Sequence, residues 1–139
     1  RVAVYVNILC QKMKINNNQR ERFVHMAKIH DIGKIYVDDK IRDYVIRLVR
    51  ATRKPGEYNL PEIEERIEFG ASPRASVYLC LAAKGYALLQ QRNFVLPEDI
   101  KAVAKDVLRH RIIMSYEALA DEITPDQILD VILNEIEVP

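Results

Sequence analysis

Apolar residues recur along this chain at helical spacing from one end to the other. Val2, Tyr5, Val6, Leu9, Cys10 and Met13 fall on one face of a helix of about three turns. Asn16-Asn17-Asn18 interrupts it. Asn18 with Glu21 offers a cap for a second helix through Phe23, Met26, Ala27 and His30, which Gly33 closes or turns. Asp38 or Asp39 then caps a helix whose stripe is Ile41, Tyr44, Val45, Leu48, Val49 and Thr52, ended by Pro55-Gly56. The polar stretch Tyr58 to Phe69, with its Glu62-Ile63-Glu64-Glu65-Arg66 cluster, reads as a solvated loop with room for one helical turn.

Ser72 stands where an N-cap belongs and Pro73 is pre-set for a first helical position, so a long helix is expected to about Arg92. Its stripe is Val77, Cys80, Leu81, Lys84, Ala87 and Leu88, which places Leu81 in the core. Gly85 and several alanines would let a neighbour approach closely, making this the expected central helix. Phe94-Val95 is a short extended link. Pro97 opens a helix carrying Ile100, Val103, Ala104, Val107 and Leu108. Thr124-Pro125-Asp126-Gln127 has the capping-box layout, followed by Ile128, Val131, Ile132 and Ile136. The pattern predicts an all-α bundle of five or six helices with an N-terminal helical pair. It leaves room for one short β pairing near Phe94-Val95 and Ile112-Ile113.

Composition narrows the function. At 139 residues, 49% apolar and 29% charged, the chain fits one soluble globular domain, or a small domain with an appendage. A net charge of +1 argues against nucleic-acid binding by bulk electrostatics, and the tyrosines are not interleaved with basic residues as an RNA-stacking platform would need. No apolar run approaches the roughly 18 residues of a membrane span. Cys10 and Cys80 sit on apolar helix faces as small hydrophobes, with no C-x-x-C and no zinc spacing. Arg1 begins the sequence without Met and without a signal-peptide layout, as at a cut edge. A cytoplasmic protein is expected.

Arg74 is the first candidate for chemistry. It falls in the first turn of its helix, where free backbone N–H groups favour an anion and a cation is locally unfavourable. Its planar fork suits phosphate oxygens. The bland alternative is a capped helix with a surface arginine. The surroundings shift that balance. Ala51-Thr52-Arg53, Gly70-Ala71-Ser72-Pro73-Arg74-Ala75-Ser76, Asn93-Phe94-Val95-Leu96-Pro97-Glu98-Asp99-Ile100 and Val107-Leu108-Arg109-His110-Arg111-Ile112 occur in this order. With Val138-Pro139 at the end, residues 36–139 resemble the C-terminal lid subdomain of MoxR-type AAA+ ATPases.

The resemblance implies a lid that closes over ATP and Mg held by an ATPase core subdomain, in a ring, expected to be a hexamer, that remodels client proteins in a chaperone-like way. It implies that Arg74 is the sensor arginine reaching the nucleotide phosphates. Arg109 and Arg111 become candidates for contact with a neighbouring subunit, with a solvated basic terminus as the alternative. His110 reads as a helix C-terminal histidine near the negative end of the dipole. No Gly-x-x-x-x-Gly-Lys-Ser/Thr occurs in these residues, so the chain alone is expected to be inactive on ATP.

The other candidate is His30-Asp31-Ile32-Gly33-Lys34. Adjacent His and Asp can bridge two metals, and Lys34 could meet a phosphate. Residues 1–35 resemble the start of an HD-GYP phosphodiesterase domain, a metal-dependent family that acts on cyclic dinucleotides. The departures weigh against a working site: no Gly-Tyr-Pro follows, and His110 is the one histidine after Asp31. His30 and Asp31 alone are an incomplete metal site. The expected organisation is therefore 1–35 as an incomplete HD-GYP-like segment and 36–139 as the lid, either a fusion or a lid with a helical extension. Two alternatives stay open: an HD-GYP fragment, and a helical interaction module without a nucleotide role.

Overall fold

One-sided stripes fix most of the helices. In the computed structural model the described residues are 8–11, 13, 16–19, 21 and 31–139, Asp31 by its backbone alone. They belong to two compact units, Arg1–Ile35 and Tyr36–Pro139.

In the first unit, residues 8–11 and 17–19 are helical and Asp31–Lys34 forms a 3-10 turn. The cap between the helical pieces is Asn16, whose side chain accepts the Gln19 N–H at 2.9 Å, and not Asn18. Of the expected apolar stripe, Cys10 is buried while Leu9 and Met13 are exposed. Val2, Tyr5, Val6, Phe23, Met26, Ala27 and His30 lie outside the described residues.

The second unit is a helical bundle. Helix α1 (Asp39–Ala51) is capped by Asp38, whose side chain accepts the Lys40 N–H. Its whole stripe, Ile41, Tyr44, Val45, Leu48, Val49 and Thr52, is buried as expected. A 3-10 turn at Pro55–Tyr58 and the single-turn α2 (Pro61–Glu64) follow. Helix α3 (Arg74–Leu89) packs most extensively on α4 (Pro97–Leu108) and also meets α1. The short α5 (Tyr116–Ala120), capped by Ser115, and α6 (Pro125–Glu135) complete the unit. Both halves of the Thr124–Gln127 capping box are present. All-α is the fold class, with six α-helices in the second unit.

Three expectations need correction. Leu81 is not in the core: it is 50% exposed, as is Val77 at 60%. The buried face of α3 is Ala75, Leu79, Ala83 and Ala87, small residues that bring α3 close to its neighbours. Apolar residues surround this helix on most sides, so periodicity does not single out its inner face. Gly85 is not the point of close approach either, since a Cβ there would meet nothing within 4 Å. The β pairing also joins different partners. Strand β1 (Ile67–Phe69), inside the expected loop, pairs antiparallel with β2 (Ile113–Met114), while Phe94 forms a parallel bridge with Tyr36.

Candidate functional site

The approach to α3 is built from two distant pieces of chain. Thr52, fully buried at the end of α1, donates its hydroxyl to the Val49 carbonyl at 2.7 Å. The same Oγ1 accepts the N–H of Ala71 at 3.0 Å. Beside that bond, a Cβ on Gly70 would lie 2.1 Å from the Thr52 carbonyl oxygen and 2.7 Å from the Arg53 nitrogen. Only glycine lets the two backbones come this close. The chain then turns into α3, with the Ala75 N–H bonded to the Ser72 carbonyl at 2.8 Å. Ser72 gives no side-chain cap, contrary to expectation, and Pro73 occupies the N-cap position.

Arg74 is the first residue of α3, is exposed, and its side chain has no hydrogen bond or ion pair among the described residues. The first turn of α3 holds no acidic residue. The other α-helices of the second unit each have at least one there: Asp39, Glu62, Glu98, Glu117 and Asp126 among them. An acid at that place complements the helix dipole. At α3 a free guanidinium stands beside amide groups that themselves attract an anion.

Arg109 and Arg111 are both occupied within the fold. Arg109 pairs with Asp106 at 3.1 Å and lies 3.2 Å from Asp126 Oδ1, off the direction of a hydrogen bond. Arg111 donates from Nε to the Val107 carbonyl at 2.9 Å and stacks over Tyr78, 4.7 Å from the ring centre. His110 is exposed at the end of α4. His30 lies outside the described residues, and the Asp31 side chain is likewise not described. Among the described residues no three His, Cys, Asp or Glu side chains gather where a metal ion could be held. Cys10 and Cys80 are both free thiols, and burial pushes the Cys80 thiol up. No helix among the described residues is long and apolar enough to cross a membrane.

A second polar cluster escaped the sequence reading. Asp99, 2% exposed, takes two bonds from the Arg92 guanidinium, one at 2.7 Å, and the Leu96 N–H at 2.8 Å. Burial alone would raise its carboxyl, but the Arg92 bonds, the Leu96 N–H and the Arg92 charge together hold it low. This cluster fixes the link between α3 and α4 and is structural. An Asp at the third position after Leu96 was the available signal, half of a capping box without a Ser or Thr at the cap.

The profile of the AAA lid domain family matches residues 61–132. The chain belongs to that family, and MoxR proteins are among its relatives. It is 42% identical to the chaperone MoxR1 of Mycobacterium tuberculosis over 104 residues, which is 75% of this chain and 28% of that protein. It is 31% identical to the uncharacterised YeaC protein of Bacillus subtilis over 86% of this chain and 34% of that one. A crystal structure from Cytophaga hutchinsonii, provisionally assigned as an ATPase, superposes with a TM-score of 0.79 at 40% identity. That likeness covers 86% of this chain and 36% of the other. The chain thus spans about a third of the length of the proteins it matches. A match over 86% of the chain is longer than residues 36–139, so it takes in part of residues 1–35.

Proposed function

We propose that this chain is the lid of an ATP-hydrolysing, ring-forming MoxR-type AAA+ protein, and that Arg74 is its phosphate-sensing residue. The observation that carries the proposal is the unpartnered, exposed guanidinium in an acid-free first turn. An arginine placed there gains most from a phosphate, which matches both its own charge and the orphan amides around it.

Arg74 fits a phosphate group. Nothing among the described residues fits magnesium, so its ligands and the phosphate cradle belong to the core subdomain in this reading. ATP supplies the transferable phosphoryl group. Arg74 orients that group and offsets the charge that develops on its oxygens, while the Thr52–Ala71 bond and Gly70 set the level from which the arginine reaches. Closure of the lid excludes water from the phosphates and couples turnover to movement of the ring, a hexamer in this reading, against client proteins in the cytoplasm. Contact with the neighbouring subunit through Arg109 and Arg111 would be shared with their present partners, Asp126 and Tyr78.

The test is ATP turnover of the full-length protein. Arg74→Ala lowers it on the order of tenfold or more, and Arg74→Lys recovers part, because Lys keeps the charge and loses the fork. Turnover that is unchanged per folded molecule would remove the proposal.

A further inference from the structure

Four basic residues crowd the end of α1, and three of them are engaged. Arg47 donates to the Glu137 carbonyl at 3.0 Å. Arg50 and Lys54 share Glu57, each at 2.7 Å. Arg53 is exposed, its N–H bonded to the Arg50 carbonyl at 2.9 Å, and its side chain has no hydrogen bond or ion pair among the described residues. Its backbone nitrogen is the atom 2.7 Å from where a Gly70 Cβ would stand. From Gly70, four residues lead to Arg74, a span of at most about 14 Å. Two guanidinium groups without a partner therefore leave backbone segments that meet at the Gly70 contact.

We infer that Arg53 is a second phosphate-contacting residue of the site that Arg74 defines. The inference rests on the lid reading and adds a residue to it. A nucleotide triphosphate carries anionic oxygens along its whole phosphate chain, enough for both forks. Arg53 would hold the bound nucleotide, and Arg74 would act on the group transferred. The Gly70 contact keeps both on one frame, so the lid meets the phosphates at two points that move together.

The experiment is titration of the full-length protein with ATP, followed by calorimetry, alongside turnover. Arg53→Ala should raise the Kd for ATP about tenfold or more, the loss of one charge-assisted contact, and leave the melting temperature unchanged. Arg53→Lys should restore part of the affinity. If Arg53→Ala does not fold, Arg53→Gln keeps most of the stem and removes the charge, and the same rise is expected. A Kd within about twofold of wild type, with Arg74→Ala still slowing turnover, overturns this inference and leaves the lid reading intact. If neither variant changes binding or turnover, both fall.

Discussion

Thr52 Oγ1 accepts the backbone N–H of Ala71 at 3.0 Å, and this bond ties the end of α1 to the approach of α3. Both partners are buried. Thr52→Val keeps the shape and leaves the Ala71 amide unpaired, so it should cost about 1–3 kcal/mol. Thr52→Ser keeps the hydroxyl and should cost less, about the value of one buried methyl, ~0.8 kcal/mol. Urea unfolding of the three proteins checks the order. Equal stability of Thr52→Val and wild type would mean that the bond contributes nothing.

Gly70 makes the same junction from the other side. With a Cβ 2.1 Å from the Thr52 carbonyl oxygen, Gly70→Ala has to separate two backbones, since neither contact is the end of a flexible side chain. The expected loss is on the order of 1–3 kcal/mol or more, read from the same unfolding curves. A neutral Gly70→Ala would show that the two segments are not held this closely.

The inner face of α3 can be tested by a pair of truncations. Leu79→Ala removes a fully buried side chain and should cost about 2–5 kcal/mol. Leu81→Ala removes one that is half exposed and should cost well under half as much. The reverse order would restore the face that periodicity suggests.

The difference between helices explains how much could be read from sequence. The stripe of α1 is legible because charged residues such as Arg42, Asp43 and Arg50 mark its outer side. In α3 the residues Val77, Tyr78, Leu81 and Leu89 are apolar and yet exposed, so nothing marks the outside. Strand β1 has three residues and takes its identity from pairing with β2, more than forty positions away, which no local pattern carries. Three successive asparagines are equally able to cap, and only the fold selects Asn16. At the site, the type and position of Arg74 were legible. Its freedom from partners, and the Gly70 contact that brings Arg53 near, depend on long-range packing.

Asp99 gives a pH signature. Despite burial, its carboxyl is held low in the folded state by Arg92 and Leu96, so its contribution is present above the unfolded value near 3.9 and lost as pH falls through the lower folded value. Asp99→Asn should therefore unfold at lower urea than wild type at pH 7, by about 1–3 kcal/mol, and the gap should narrow below about pH 4. A gap that stays constant from pH 7 to pH 3 would show that the ionised form has no special stability.

The most direct measurement is a structure of the full-length protein with Mg and a non-hydrolysable ATP analogue. The account predicts an Arg74 guanidinium nitrogen about 2.7–3.2 Å from a phosphate oxygen in a closed subunit, with α3 and the Thr52–Ala71 bond undisturbed. Arg74 turned to solvent in every nucleotide-bound subunit, more than about 6 Å from any phosphate oxygen and so beyond any hydrogen bond, would contradict it.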